Sequence, residues 1–427
     1  MEKLKRRIIV LVLFSLAAIL AYADRTNMGV VIVPMGDEFD WSARVKGAVL
    51  GAFFIGYICT QVIGGWLADS VFGGEPVLLI GMSLWSIILL LTPSAVNHGG
   101  VAGAVASRIA LGLAEGVVFP SVHSMLARRM PVTWLNGVSA LINTMTLLGG
   151  IVALLVSAPL SAHADWTAVF YVMGACGLAW SISWAIWVYV EHYVIAIEAD
   201  LKPDSKEETK SKEKSKARKT PWKRLITASP VWAFFTCNYC NAWGFWLILN
   251  WLPSYFKDQF EVDLEQLGVM SVLPYGVQGI VGLGLGLLGD YIIRRQLINK
   301  AWLRSGSQTV AMLGAASLLV ALFYTVNSKS ASIQAVGFIT GAMALNAFSV
   351  IGSGMNHFDL APRYAGFLYG MGNSVSILPG LIGVPLTGWM LESNGGRWEG
   401  VFGLAAAHYV AGLIIFLIFG SFTPIVN

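Results

Sequence analysis

Long apolar segments follow one another along this chain and constrain its fold more than any other feature. Hydrophobic residues make up 56% of the 427 residues and charged residues only 12%, which is not the composition of a water-soluble protein. Backbone groups in lipid must be hydrogen-bonded internally, so the segments predict an all-α membrane protein. Twelve segments are long enough, or nearly so, to cross a core of roughly 30 Å. They are 8–33, 45–68, 77–95, 101–124, 135–158, 167–190, 229–252, 266–288, 303–325, 331–353, 364–391 and 399–420.

A charged stretch separates the first six segments from the last six. Residues 191–228 include a run that is poor in apolar residues and rich in charges of both signs, which is typical of a solvated linker. We therefore predict an N-terminal six-helix bundle at 1–190, a cytosolic charged linker at 191–228 and a C-terminal six-helix bundle at 229–427.

Several short motifs occur once in each half of the chain. Asp37 is matched by Asp258, Gly47 by Gly268 and Gly65 by Gly286, and the members of each pair are 221 residues apart. A constant spacing across a loop and a helix indicates an internal repeat. Two tandem six-helix bundles are typical of secondary transporters, in which the substrate site lies near mid-membrane between the halves.

The distribution of Lys and Arg predicts the orientation of the helices. Most of the 28 basic residues fall on one side if both termini are cytosolic, as the positive-inside rule requires. We therefore expect an integral multi-pass membrane protein with both termini in the cytosol. The net charge of +4 reflects this rule, and we expect a monomer without a nucleic-acid partner. The type of membrane is left open.

Only two basic residues, Arg25 and Arg108, are predicted to lie deep within the spans. A cation in the hydrocarbon core costs about 2.5–3.5 kcal/mol on insertion scales, so such residues usually face a polar cavity and have a function. A guanidinium group matches the oxygens of a carboxylate or a phosphate. Two arginines facing one cavity therefore predict a binding site for a small anion.

Two acidic residues accompany these arginines. Glu115 follows Arg108 by seven residues and shares its helix face, so Arg108 is expected to assist the anion or to hold Glu115. Asp24 precedes Arg25 and points roughly 100° away from it, toward the cavity edge or a neighbouring helix. We predict that Asp24 and Glu115 carry a coupling cation, by protonation or by ion binding. The alternative is that the four charges only neutralise one another.

Other polar residues in the spans are weaker candidates, because each is more typical of a hydrogen bond between helices. His357 lies beside Asp359 and is interpreted either as a pH-sensing residue or as a helix cap. Cys237 and Cys240 form a CxxC pair, interpreted as packing residues. No metal site, cofactor or catalytic constellation is predicted, so we do not expect an enzyme. The further candidates for substrate binding are Tyr57, Asn143, Asn241, Ser353, Asn356 and Asn373.

Several motifs resemble those of the anion:cation symporter family within the major facilitator superfamily. They are the stretches 22–28, 53–69, 108–120, 251–255 and 356–366, which together extend over most of the chain. The stretch that ends at Asp69 resembles the conserved loop motif of the superfamily, and the resemblance implies a gating role for Asp69, Asp290 and Arg294. The loop after Asp69 lacks the usual basic residues, which weakens the assignment there.

The resemblance implies the twelve-helix major facilitator fold and cation-coupled anion symport by alternating access. In relatives the arginine matching Arg25 contacts the substrate, and the pair matching Arg108 and Glu115 serves coupling. Leu50 and Asn241 replace a histidine and an arginine of vesicular glutamate transporters, which argues against glutamate loading. Inorganic phosphate is the first expected substrate. The alternatives are a proton-coupled transporter for a sugar acid, sialic acid, ascorbate or an acidic amino acid, and more remotely a non-transporting anion sensor. The coupling ion is left open between a proton and sodium.

Overall fold

The computed structural model describes residues 2–130, 135–200, 227–326, 331–362 and 365–425, and these residues are helical with short connections. Ten helical stretches are long and apolar enough to cross a membrane, and one of them, Gly74–Leu126, is 53 residues long and contains two predicted spans. The seventh predicted span is not among these ten stretches, because Asn238, Asn241 and Asn250 make it less apolar, but it is also a single helix. The described helices thus account for all twelve predicted spans.

The first six spans form helices α1 to α6, of which α3 bends back on itself. Gly100 has a positive φ of 53° within α3, where glycine avoids the clash of a Cβ, and this residue separates the third span from the fourth. A π-helical turn at Leu67–Val71 follows α2. The bounds are α1 Glu2–Glu38, α2 Ala43–Trp66, α3 Gly74–Glu115, α4 Val118–Arg129, α5 Leu135–Ala164 and α6 Trp166–Asp200.

The last six spans form helices α7 to α14, and two of these spans are built from more than one helix. A π-helical turn joins α9 to α10, and two short 3-10 turns around Gly352 interrupt the tenth span between α11 and α12. The bounds are α7 Ser229–Phe260, α8 Leu264–Arg294, α9 Lys300–Thr309, α10 Ala315–Thr325, α11 Ser332–Asn346, α12 Asn356–Leu360, α13 Ala365–Ser393 and α14 Glu399–Phe419.

Glycines allow close contact where helices of the two halves cross. Helix α2 packs on α13 and α5 packs on α8. A Cβ added to Gly47 would lie 3.1 Å from Cα of Gly388, and one added to Gly268 would lie 2.6 Å from the carbonyl oxygen of Leu154. Gly47 and Gly268 are one of the repeat pairs, so corresponding glycines lie at close contacts of two corresponding helix crossings.

Polar contacts between the halves are found at one end of the molecule. Lys257 on α7 forms an ion pair with Asp37 on α1, and the Ser42 hydroxyl before α2 donates to Glu392 Oε2 on α13 at 2.9 Å. We call this end, where α1 joins α2 and α7 joins α8, the closed end. The opposite end, where α1 begins and α2 ends, is called the open end, because a cavity lies between the halves on that side.

Candidate functional site

A cavity of about 500 Å³ lies between the two halves. Helices α1, α2, α4 and α5 line one wall, and α7 and α13 line the other. Arg25 is the one lysine or arginine among the described residues of its lining. The side chains of His123, Tyr369 and Asn373 are exposed to it, so the cavity is accessible from the open end. The lining includes Tyr22, Arg25, Tyr57, Gln61, Phe119, His123, Thr146, Trp246, Tyr369 and Asn373.

The guanidinium of Arg25 is held by a carboxylate and by aromatic rings. Its Nε donates to Glu115 Oε1 at 2.6 Å, and Nη2 lies 2.6 Å from the same oxygen. Its Cζ is 4.4 Å from the ring centroid of Tyr57 and 4.8 Å from that of Tyr22. A cation over aromatic faces is attracted by the negative charge density of the rings. One edge of the guanidinium thus faces Glu115, and the group as a whole lies at the cavity wall.

The second pair of charges lies behind this wall. Arg108 Nη1 is 3.9 Å from Asp24 Oδ2, and Trp85 Nε1 donates to the same oxygen at 3.3 Å. Asp24 faces a narrow void between α1 and α6, away from the main cavity, as its position beside Arg25 predicted. Arg108 is absent from the described lining of the main cavity. It would therefore act on a ligand there only through other groups.

The structure corrects the expected partner of Glu115. Arg108 was expected either to assist the anion or to hold Glu115, but Arg25 holds Glu115, and Arg108 pairs with Asp24. Two residues seven positions apart share a helix face, yet they are separated by about 10 Å along the axis, too far for direct contact. Side chains from α1 therefore reach each of them separately. Between the two arginines lies Phe53, whose ring centroid is 4.9 Å from Cζ of Arg108 and 5.4 Å from Cζ of Arg25.

The neutral candidates divide into two groups. Tyr57 and Asn373 line the cavity. Asn241 accepts a hydrogen bond from Asn346 Nδ2 at 2.7 Å and so bridges α7 and α11. Ser353 and Asn356 are buried at the interruption of the tenth span, apart from the described cavity lining. Asn143 lies on α5, and its side chain is outside the described part of the structure.

Comparison with known proteins identifies the fold and the family. The model of the Major Facilitator Superfamily matches residues 14–380. The chain belongs to this superfamily. It is 32% identical over 421 residues to the chloroplastic ascorbate transporter of Arabidopsis thaliana, covering 98% of this chain and 75% of that protein. It is 31% identical over 426 residues to the chloroplastic sodium-dependent phosphate transport protein 1 of the same plant, covering 99% and 80%.

These likenesses place the chain in the anion:cation symporter branch of the superfamily. Among solved structures, the D-xylose-proton symporter matches with a TM-score of 0.72 at 13% identity, covering 97% of this chain and 98% of that one. A match at this identity supports the fold alone, and the fold is the twelve-helix major facilitator fold. The chain is a transporter and not an enzyme.

This major facilitator has a third buried arginine, Arg304, which was not among the predicted site residues. Arg304 Nε donates to Asp359 Oδ2 at 3.0 Å, and its Nη1 donates to the carbonyl of Ile351 at 2.7 Å. Lys300 Nζ lies 2.5 Å from Asp359 Oδ1. Arg304 lies about one turn after the start of α9, near the open end, so it is buried beside Asp359 without lying deep in the span. The buried Asp359, which needs a partner, was the available signal.

For the predicted gating residues, the structure describes the helices but not the side chains. Asp69, Asp290 and Arg294 are on described helices, but their side chains are outside the described part of the structure. A contact that the sequence reading missed lies nearby, where Arg129 donates to Glu191 at 2.7 and 2.8 Å and also binds Glu75. Burial opposes the charge of Arg129, but its hydrogen bonds to Glu191 and Glu75 outweigh this and raise its pKa.

His357 and the cysteines form no shared polar site in the described structure. The His357 ring packs on Phe358 with centroids 4.1 Å apart and lies 5.2 Å from that of Tyr369, while Asp359 is paired with Arg304. All four cysteines are free, and Cys237 and Cys240 are buried. In the described part of the chain, no group of His, Cys, Asp and Glu has the arrangement of a metal site.

Proposed function

We propose that this transporter moves a small anion by alternating access in symport with a cation, and that Arg25 binds the anion. One observation carries the proposal. Arg25 is the sole lysine or arginine in the described lining of the cavity between the halves, and it lies where an anion entering from the open end would meet it. The ascorbate and phosphate transporters similar to this chain support an anionic substrate.

An organic monocarboxylate is the first candidate for the anion. The charge of Arg25 is already offset in part by Glu115, so the site has little positive charge to balance a phosphate dianion. Aromatic side chains contribute much of the lining, including Tyr22, Tyr57 and Trp246. Ligand sites of mostly apolar lining with few placed polar groups suit organic ligands. Inorganic phosphate is the second candidate, supported by the similarity to a sodium-dependent phosphate transport protein.

Glu115 provides a route to coupling, because it competes with the anion for Arg25. Its Oε1 accepts from Arg25, whereas Oε2 is buried without a hydrogen-bond partner in the described structure. A proton on Glu115 would cancel its charge and release Arg25 to an anion, and loss of that proton would restore the pair and expel the anion. Asp24 and Arg108 form a second ion pair that takes part in the same coupling. Sodium binding by oxygens of Asp24 and Asn27 is the alternative to protonation.

The proposal includes the orientation of the protein in the membrane and the division of the chain into two bundles. The bundles at 1–190 and 229–427 rock against each other, joined by the cytosolic linker at 191–228, and the open end faces the cytosol with both termini. In the opposite state the polar contacts at the closed end, such as Lys257 with Asp37, would separate. The gating roles of Asp69, Asp290 and Arg294 belong to the same proposal.

Uptake into proteoliposomes tests the function. The wild-type protein is assayed with radiolabelled ascorbate, D-gluconate and phosphate under an imposed proton or sodium gradient, and each tracer is competed with the other two anions. Gradient-driven uptake of at least one anion, lost in Arg25→Ala, is expected. If no tracer enters vesicles that contain folded protein, or if Arg25→Ala transports normally, the proposal is wrong. The gradient that drives uptake identifies the coupling ion.

A further inference from the structure

We propose that Trp246 determines specificity by packing against the ring of an organic anion whose carboxylate is held at Arg25. The substrate class is then a carboxylate attached to a sugar or aromatic ring. This inference rests on the proposed anion transport and adds a residue in the second half of the chain that reads the uncharged part of the substrate.

The internal repeat relates Trp246 to Arg25. Arg25 lies twelve residues before Asp37, and Trp246 lies twelve residues before Asp258, the repeat partner of Asp37. The two side chains therefore occupy corresponding positions on α1 and α7, and both line the cavity, one from each half. Duplication of one helix has produced a cation on one wall and an indole on the other.

The Trp246 ring is held in one orientation. Its Nε1 donates to the carbonyl oxygen of Ser376 on α13 at 2.7 Å, and the ring meets that of Phe54 edge to face with centroids 4.8 Å apart. An indole has a single donor. Because that donor is used within the protein, Trp246 offers a ligand only apolar ring surface. A site built in this way favours the apolar face of a sugar or aromatic ring over a small hydrated group.

Phe54 also connects this wall to the charged pairs. Its ring lies 5.5 Å from that of Phe53, which contacts both Arg25 and Arg108. The rings of Phe53 and Phe54 thus fix the position of Trp246 relative to Arg25, where the two halves meet. Tyr369, which is 44% exposed, extends the aromatic wall on α13 toward the open end. An anion with a charged end and a ring would contact both walls at once, whereas phosphate or a short carboxylate would contact only the Arg25 side.

Ligand-induced thermal stabilisation of the purified full-length protein tests this inference. The probes are D-glucuronate and 4-hydroxybenzoate, which have rings, and lactate and inorganic phosphate, which do not. Each is titrated into the wild type, Trp246→Phe, Trp246→Ala and Arg25→Ala, and the concentration giving half of the stabilisation is measured. Trp389→Ala is the matched control, because Trp389 is an exposed tryptophan on α13 outside the described cavity lining.

The expected result separates the two roles. The wild type should prefer the ring-bearing anions, and Trp246→Ala should weaken them at least about ten-fold while changing lactate and phosphate little, as loss of an apolar contact predicts. Trp246→Phe should recover part of the loss, Arg25→Ala should weaken all the carboxylates, and Trp389→Ala should behave as the wild type. The melting temperature without ligand reports on folding, and the wild-type preference tests the inference even where a variant is unstable.

Different failures have different meanings. If the wild type binds phosphate or lactate more tightly than both ring-bearing anions, or if Trp246→Ala weakens all four anions equally, the role of Trp246 is refuted while anion binding at Arg25 stands. If none of the four anions stabilises a folded wild-type protein and uptake is also absent, the proposed function itself fails, and the inference fails with it.

Discussion

The buried polar residues differ between the two halves of this transporter. In the first half they include two ion pairs near the cavity, Arg25 with Glu115 and Arg108 with Asp24. In the second half, Asn346 links Gln278 and Asn241 by hydrogen bonds of 3.4 and 2.7 Å. The buried ion pairs described in the second half involve Asp359, near the open end. Equivalent helices have thus acquired different polar interiors.

This difference suggests a division of tasks. A carboxylate beside an arginine responds to a proton, an ion or a competing anion, because each changes its charge balance. Amide side chains do not titrate, so a chain of them responds to shape and to hydrogen-bonding partners only. We therefore expect substitutions in the first half to alter anion binding and coupling, and equivalent substitutions in the second half to alter selectivity or stability.

The largest effect is expected at Arg25. Arg25→Ala removes the one lysine or arginine of the described lining and leaves Glu115 buried without its partner, so uptake should fall by at least about 100-fold. Arg25→Lys keeps the charge but loses the planar fork and should recover only part of the activity. Initial uptake rates measure both, with Arg397→Ala, at an exposed arginine, as the control. Normal uptake by Arg25→Ala would remove the distinction between the halves.

Glu115→Gln should separate binding from coupling. The neutral amide resembles the protonated carboxyl and no longer competes for Arg25, so exchange of anion across the membrane should persist while gradient-driven accumulation falls about ten-fold or more. Counterflow and gradient-driven uptake, measured over a range of pH, give the two quantities, and their pH dependence should flatten together. The exposed Glu399→Gln is the control. Accumulation that remains as steep as in the wild type would exclude Glu115 from coupling.

The glycines at the two helix crossings should show a moderate effect. Gly268→Val places atoms against the backbone of Leu154, and Gly47→Val does so against α13, so both should weaken the closed end and lower uptake several-fold. Water-soluble thiol reagents should then label a cysteine placed at Ser42 faster than in the parent. Gly276→Val on α8 is the matched control, because no heavy atom lies within 4 Å of its added Cβ. Unchanged labelling would show that these contacts do not seal that end.

The smallest effect on transport is expected from Asn346→Leu in the second half. The substitution leaves the side-chain oxygen of Asn241 without its donor, which should reduce stability by about 1–3 kcal/mol. Coupling should stay intact, because no titrating group changes. Thermal unfolding in detergent and gradient-driven uptake measure the two effects. Loss of coupling with normal stability would contradict the proposed division between the halves.

The sequence predicted the helices well because the bilayer imposes their length and polarity. Apolar runs long enough to cross the membrane and the repeat at 221 residues both depend on local or periodic features of the chain. Arg25, Tyr57 and Asn373 lie in the cavity lining, and their role in substrate binding stays a prediction. Burial of Asp359 beside Arg304 was missed, because the helix that carries Arg304 begins earlier than its apolar residues do.

The sequence by itself therefore determined the fold, the repeat and the presence of buried charges, since each of these follows from hydrophobicity and spacing along the chain. Only the tertiary structure decided which charges meet. Arg108 and Glu115 share a face of their own helix, yet their partners come from Asp24 and Arg25 on α1, because contact depends on the packing of α1 against α3. The position of Trp246 in the same cavity as Arg25 likewise arises from the packing of α7 against α13, which no local pattern encodes.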